Sequence, residues 1–378
     1  MNGSLSIYMH VPFCEKKCGY CDFYSFLPTS EKMMDEYVDC LLQEWELYEG
    51  ELEEQKVSSL FLGGGTPSML GTERLLRILN RVAPYVKKDG EITVECNPES
   101  VVALNIEKLM AAGVNRFSMG IQSGSDRLLN IMGRIHNVDE GRVAFRHLRE
   151  GGAENINLDF ISSVPTESDE DIEKSISLIK ELNPEHVSVY SLILEEGTPF
   201  YKRYGDLPEN DIEDRRHVHR YGNSFVAMGY EQYELSNFSK PGFQCDHNLH
   251  YWKLGHYIGL GPAASGYLGS IRYTNAANFK EYISSIKEGK KPVAYSEELT
   301  LLDRDNELMM LGIRLNEGID LNEELPSGIL FIERYGNAVK RNAERGLLRI
   351  SGNRIVLTDR GRDLSNQVEV DFFQLNNE

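Results

Sequence analysis

The sequence predicts an α/β protein: a partial (β/α)6 barrel of the TIM-like kind, followed by a small helical domain with a β wing. Three observations lead there. Short β-rich runs recur at intervals of roughly 30 to 35 residues, the length of a β/α unit. Stretches with apolar residues at helical spacing separate them. After Leu194 this alternation stops, and aromatic residues and turns take over. Six β/α units within about 195 residues suit an open or closed parallel barrel, with an open doubly wound sheet as the rival arrangement.

The elements follow in order. IYMHV (Ile7 to Val11) is the first strand, and Met34, Tyr37, Val38, Leu41, Trp45 and Tyr48 then recur as one face of a helix. SSLFL, EITVEC, RFSMGI, NINLDFI and HVSVYSLIL are the next five strands. Helical stretches such as Glu73 to Val82 and Ile106 to Ala112 lie between them. Several of these runs are apolar nearly throughout, as in parallel sheets covered on both faces. Near the C-terminus, NELMMLGIRL and LFIERYGNAVKRNAERGLL read as helices, and RISGNRIVLTDRG as a hairpin turning at Gly352 and Asn353. The expected division is a barrel over residues 1–240, a bridging segment over 241–300 and a winged helical domain over 301–378. Chemistry belongs at the C-terminal strand ends, where the loops converge.

Charge narrows the partners. Forty Lys plus Arg stand against 59 Asp plus Glu, a formal charge of −19, which repels phosphate backbones, so nucleic acid is not an expected partner. MNGSLSIYMHVPF lacks a basic patch followed by a long apolar stretch, and no run approaches the roughly 20 apolar residues of a membrane span. A cytoplasmic location is expected, and there six cysteines are thiols or metal ligands rather than a disulfide framework.

Three of the six, Cys14, Cys18 and Cys21, follow the first strand at C-x3-C-x2-C spacing. Sulfur ligands favour zinc or an iron–sulfur cluster. A structural zinc wants a fourth ligand nearby, for which His10 is the only local candidate. A four-iron cube normally takes four cysteines. Cys40 falls on a predicted helix, Cys96 at a strand end and Cys245 far along the chain, so three local thiols would leave one iron open to a non-protein ligand, as catalytic metal sites do. One β/α unit later, FLGGGTPS sets Gly63, Gly64 and Gly65 after an apolar strand, where glycines allow a tight turn and a close approach to a ligand, with Thr66 adding a hydroxyl and Pro67 fixing the exit.

The cysteine triplet coupled to the glycine triplet resembles the radical S-adenosylmethionine (SAM) superfamily. That resemblance implies a 4Fe-4S cluster whose open iron is chelated by the amino and carboxylate groups of SAM, and an electron donor that reduces the cluster. More narrowly, IYMHVPFCEKKCGYC, LFLGGGTPSML, ITVECNPES, GVNRFSMGIQS, IMGRIH, NLDFISSVP and LTDRGRDLSNQV resemble the HemN/HemW branch, which contains oxygen-independent coproporphyrinogen III oxidases and haem chaperones. By likeness, Tyr8, Tyr20, Gly64, Gly65, Thr66, Glu95, Gln122, Arg134 and Asp159 line the SAM site. The residue types suit that role: carboxylates accept from the ammonium or ribose hydroxyls of SAM, a carboxamide donates or accepts, and a guanidinium pairs with a carboxylate through a charge-assisted fork.

Within the branch two functions compete. One is an oxidase that decarboxylates two propionates of coproporphyrinogen III. The other is a chaperone that binds haem and passes it to an acceptor protein. The oxidase pattern continues to C-x3-C-x2-C-x-C and carries a longer N-terminal arm. Here Phe23 stands at the position of the last cysteine, and Cys14 comes almost at once. HNLHYW matches the H-N-x-x-Y-W haem motif of the chaperones, which makes His247, Asn248, Tyr251 and Trp252 the expected haem residues. A neutral imidazole ligates haem iron, and the two aromatics offer flat apolar faces with polar tips. Cys245 is a secondary candidate, and His250 and His256 flank the same segment. The plainer alternative is an aromatic hairpin that closes the barrel mouth with His247 hydrogen-bonded inside. One departure is GLGPAASGY, with Ser265 where chaperone relatives commonly carry a histidine. His217 and His219 read as surface residues on a charged helix. An RNA-modifying methylthiotransferase is disfavoured by the acidic balance and the scattered remaining cysteines.

Overall fold

Polar and apolar residues alternate along the parallel strands, and this alternation assigns the two sides of the sheet. In the computed structural model, which describes residues 4–52, 56–207 and 211–374, six strands run parallel in chain order. They are β1 (Ser4–Val11), β2 (Lys56–Gly64), β3 (Val86–Cys96), β4 (Arg116–Gln122), β5 (Ile156–Ser162) and β6 (His186–Ser191). Leu5, Ile7, Met9 and Val11 on β1, like Leu158 and Phe160 on β5, belong to the buried core that the covering helices complete. The opposite face holds Ser6, Tyr8 and His10, which lie level with Ser59, Phe61 and Gly63 on β2. Glu91, Thr93 and Glu95 on β3 continue those levels. Strands that read as apolar on both faces are therefore apolar only toward the helices. The inner face is polar because it lines a cleft instead of packing on a second layer.

The helices are punctuated by ordinary caps. Glu31–Glu46 starts at Ser30, whose hydroxyl accepts from the Met33 amide, and buries Met34, Tyr37, Val38, Leu41 and Trp45. Tyr37 also donates to the His10 carbonyl at 2.8 Å, tying this helix to the end of β1. Val138–Glu150 and Asp169–Leu182 open with complete capping boxes, Asn137 with Glu140 and Ser168 with Asp171.

The sheet then grows at both edges. β7 (Glu231–Gln232) and β8 (Asn237–Ser239) add antiparallel beside β6. β9 (His256–Leu260) pairs parallel with β1, and β10 (Ser265–Leu268), β11 (Ile271–Asn275) and β12 (Val293–Glu298) continue antiparallel beyond it. The 241–300 stretch, expected to bridge two domains, is thus four strands of the same twelve-stranded sheet. Buried Glu44 fastens it, accepting from the Gly261 amide, the Asn275 carboxamide and the Tyr282 hydroxyl at 2.7–2.8 Å. Among the described residues β12 and β7 end the sheet without pairing to each other, so the barrel is open.

The C-terminal region has its own core, with Met309, Ile313, Phe331, Tyr335, Val339 and Ile355 among its members. Helices Leu301–Gly312 and Phe331–Glu344 precede a hairpin of β14 (Leu348–Ser351) and β15 (Arg354–Leu357), to which β13 (Ile319–Asp320) pairs through β15. The hairpin turns at Gly352 and Asn353, with Gly352 at φ +60°, so the winged helical arrangement is as expected. The outer limits of the expected domains, residues 1–3 and 375–378, lie outside the described residues. Among the described residues no helix is long and apolar enough to cross a membrane.

Candidate functional site

The loop after β1 carries the cysteines to the C-terminal mouth of the barrel. It is pinned by Cys14 N–H donating to Phe26 O (3.0 Å) and Gly19 N–H to Met132 O (3.1 Å). Cys14, Cys18 and Cys21 are half-buried free thiols lining one cavity of about 490 Å³. Thr66 donates to the Cys14 sulfur at 3.5 Å and Arg134 Nη1 to the Cys18 sulfur at 3.6 Å. Burial pushes the Cys21 thiol up to about 11, a cost that a cationic metal centre would reverse. His10, the local fourth ligand for a zinc, is spent elsewhere: Nδ1 meets Tyr8 OH at 3.0 Å and Nε2 the Tyr24 carbonyl at 2.8 Å.

The glycine loop serves this placement. The Gly65 amide donates to Val11 O at 2.7 Å, and a Cβ there would lie 2.6 Å from Phe13 O. Gly64 has φ +104° and would clash with the His10 ring. The tight approach these glycines permit is first to the base of the cysteine loop, and the cavity wall follows from it.

The same cavity collects Tyr20, Gly64, Gly65, Thr66, Glu95, Gln122, Arg134 and Asp159. Gln122 closes β4 at φ +68°, beside a register shift after Gly120, and a Cβ at Gly120 would lie 2.5 Å from its Nε2. That strained residue and its glycine are how the strand end aims a carboxamide inward. Arg134 Nη2 donates to Asn97 Oδ1 and Gly120 O, both at 2.9 Å. Its Nε is buried without a hydrogen-bond partner. Glu95 accepts from the Gly64 amide at 3.0 Å. Desolvation, then the neighbouring Asp159, pushes its carboxyl up to about 8. Three thiols, an under-partnered guanidinium and a buried carboxyl short of donors make a wall that fits a metal cluster beside a small ligand carrying both charges.

Tyr8 alone of the expected SAM residues is not on that wall. It lies one level deeper on β1, with its hydroxyl on His10 and its ring 6.3 Å from the Phe61 centroid. The wall also holds residues that the sequence did not single out, Asn97 and Tyr190 among them. Asn97 joins Thr66 (3.0 Å) to Arg134, and Tyr190 ends the inner face of β6. A polar residue just past a predicted strand was the available signal for Asn97.

The haem-motif residues lie at the other end of the barrel interior. HNLHYW is neither a hairpin nor at the cluster mouth: it forms helix Asp246–Trp252, held by Ser59 of β2 and Glu91 of β3. Glu91 accepts from the Asp246 amide (3.0 Å), the His247 amide (3.3 Å) and the Cys245 thiol (3.3 Å), a carboxylate at a helix start. His247 is 1% exposed, with Nδ1 on Ser59 Oγ and Nε2 on Tyr251 OH, each at 2.8 Å. Its ring stacks on Phe61 with centroids 4.9 Å apart. Burial lowers its pKa to about 3, so the imidazole is neutral. Asn248, Tyr251 and Trp252 are partly exposed, and the Arg314 guanidinium lies 5.1 Å above the Trp252 ring. Cys245 is buried and its thiol pushed up by desolvation, which makes it a donor to Glu91 and not a thiolate. His250 bonds the His256 carbonyl at 2.7 Å, and Ser265 bonds Thr274 at 2.9 Å.

The other two histidines differ from each other. His219 is on the surface, 2.7 Å from Asp363. His217 is not: it is 4% exposed, between Glu167 (3.2 Å) and Glu213 (3.4 Å), because its helix turns that position toward the loop after β5.

Comparison with known proteins supplies the remaining observation. Residues 8–179 match the model of the radical SAM superfamily, and residues 299–364 that of the HemN C-terminal domain. The chain is 35% identical to the heme chaperone HemW of Bacillus subtilis (strain 168) over 96% of its length and 97% of that protein's. It is 36% identical to heme chaperone HemW of Mycobacterium tuberculosis, covering 96% and 93%. The chain belongs to the HemW family. A HemW-family chain is a radical SAM protein, and a 4Fe-4S cluster held by three cysteines together with SAM follows from that membership. The fold is shared with coproporphyrinogen III oxidase (HemN) from Escherichia coli, at TM-score 0.83 and 23% identity over 98% of this chain and 90% of the oxidase. Escherichia coli HemW is 39% identical over 69% of this chain and 70% of its own length.

Proposed function

We propose that this chain binds haem through His247 and the aromatic face of helix Asp246–Trp252 and passes it to an acceptor protein, while Cys14, Cys18 and Cys21 hold the cluster and the residues around Glu95 and Arg134 hold SAM. One observation carries the reading: relatives named heme chaperone match almost end to end. The HNLHYW helix agrees with it, since it presents a histidine held in the neutral form that ligates iron.

The residues divide the work by position. With the proton on Nδ1, His247 donates to Ser59 and keeps a lone pair on Nε2, the tautomer that ligates iron. Tyr251 occupies that lone pair, so ligation exchanges one hydroxyl for iron. Trp252 and Tyr251 supply the flat surface that a porphyrin covers. At the mouth, Arg134 pairs with a carboxylate, and Glu95 and Asp159 accept from an ammonium or hydroxyl. The cluster supplies one-electron chemistry when present. All six cysteines are unpaired, which supports a reducing, cytoplasmic setting.

The test is anaerobic. Protein with a reconstituted cluster is offered haem and coproporphyrinogen III separately. A haem absorbance band lost in His247→Ala, with no decarboxylation by the wild type, is expected. Turnover to protoporphyrinogen without retained haem overturns the proposal in favour of the oxidase.

A further inference from the structure

Between the two ends of the barrel runs a polar chain whose inner members, Tyr233, His186 and Asn157, neither site uses. Cys245, at the N-terminus of the motif helix, donates its amide to Tyr233 Oη at 3.3 Å. Tyr233 lies 2.7 Å from His186 Nε2, and His186 Nδ1 lies 2.6 Å from Asn157 Oδ1. The Asn157 carboxamide nitrogen donates to Asp159 Oδ1 at 2.9 Å, and Asp159 is on the SAM cavity wall. The donors agree in direction. The Asn157 nitrogen is committed to Asp159 and Ser118, so its oxygen faces His186 and Ser188. That orientation requires the proton on His186 Nδ1 and leaves Nε2 to accept from Tyr233 O–H, whose oxygen then accepts from Cys245. Four hydrogen bonds thus point one way, from the start of the haem-motif helix to a cavity carboxylate.

Cys245, Tyr233, His186 and Asn157 are buried, His186 completely, and Asp159 is half-buried at the cavity wall. In such surroundings aligned hydrogen bonds polarise one another, and the carboxylate at the accepting end strengthens the whole series. A donor or positive charge at Asp159 draws on the same oxygens and weakens it. The docked helix is the state this series favours, because only there does the Cys245 amide meet Tyr233. Glu91 is a second anchor for the same helix end, with Arg116 Nε 4.0 Å away.

Building on the proposed haem and SAM sites, we propose that Tyr233, His186 and Asn157 are positioning residues that couple them: SAM at Asp159 loosens the docking of helix Asp246–Trp252 and so strengthens haem binding at His247. Coupling between binding sites is reciprocal, so haem tightens SAM by the same factor.

The experiment measures that factor in full-length, cluster-loaded protein by titrating haem with and without saturating SAM, and SAM with and without haem. Both ratios are expected to be equal and about five-fold or larger. In Tyr233→Phe, which keeps the ring and removes the relaying hydroxyl, both ligands still bind and both ratios fall to one. A merely structural tyrosine would shift the two affinities and leave the ratios alone. A wild-type readout guards against a variant that fails to fold: SAM should accelerate hydrogen exchange at the amides of Cys245, Asp246 and His247. Ratios of one in the wild type with both ligands bound, unchanged exchange, or full coupling in a folded Tyr233→Phe protein overturns the coupling and leaves the functional reading standing. Haem binding unaffected by His247→Ala, or no SAM binding, strikes the functional reading instead.

Discussion

The two ends of this barrel are built on the same strands and balance their polar groups in opposite ways. At the cluster mouth, buried polar atoms lack partners: Arg134 Nε has none, and Glu95 is held protonated up to about pH 8 beside an open cavity. At the motif end, both His247 nitrogens are bonded and the helix start is capped by Glu91, so the iron-ligating residue is satisfied although Trp252 Nε1 is buried without a partner. A group left short of partners in a folded protein is compensated by whatever binds there, so the mouth is preorganised. A group already satisfied must break a bond to bind, so the motif end is a closed form awaiting its ligand.

The largest effect expected from this contrast is at the cysteines. Replacing Cys14, Cys18 and Cys21 together by Ala removes all cluster ligands from a half-buried loop whose placement rests on backbone bonds. Iron after anaerobic reconstitution should fall from about four per chain to none, with the circular-dichroism spectrum unchanged. Retention of iron at the wild-type level would show that the mouth does not hold the cluster.

At the closed end the next effect is mixed. His247→Ala should weaken haem at least ten-fold and also destabilise the empty protein by about 2–4 kcal/mol, because Ser59 and Tyr251 lose a buried partner. The same substitution at an open, exposed motif would cost haem alone, so chemical denaturation of the apoprotein separates the two descriptions.

How much of this contrast was legible in the sequence depends on the range of the interactions. The six parallel strands and the cavity wall were readable because strand ends and the loops after them converge by topology alone, and the cysteine and glycine motifs sit at those ends. The winged region was readable from local periodicity and one Gly-Asn turn. The position of the haem motif was not, because it depends on β9 pairing with β1 and on Glu91 reaching the start of a helix more than one domain's worth of chain away. The burial of His217 is hidden from the sequence for a related reason. A charged helix declares its solvent face, but the Glu167 that buries one of its histidines belongs to a distant loop. Asn97 carries little signal of its own, because a single polar residue after a strand is ordinary until Arg134 is seen against it.

A pH measurement sharpens the comparison further, since the two ends titrate with opposite sign. The folded protein holds the Glu95 proton to about pH 8 while the unfolded chain releases it near 4.5. Stability from this group is therefore full below 4.5 and is lost as pH rises to 8. His247 runs the other way: its pKa is depressed from 6.5 to about 3, so stability falls as pH drops through that window and is complete above it. Between pH 6.5 and 8 only the Glu95 contribution of this pair changes. Glu95→Gln, measured against wild type without ligands, should gain about 2 kcal/mol in relative stability across that interval. Urea denaturation at the two pH values checks it, and an unchanged difference would mean that the mouth carboxyl is not strained by burial.

The smallest effect tests whether the motif end is closed by its own hydrogen bonds. In Tyr251→Phe the ring that faces a porphyrin is kept, while the hydroxyl that occupies His247 Nε2 is removed. Haem no longer has to displace that bond, whose net worth is about 0.5–1.5 kcal/mol. The variant should bind haem a few-fold more tightly, with faster association. A hydroxyl that itself contacts bound haem would instead make the variant weaker. Tighter binding after deletion of a polar group is the outcome a self-satisfied histidine produces, and at Arg134 Nε, which has no partner before a ligand arrives, no such gain is available.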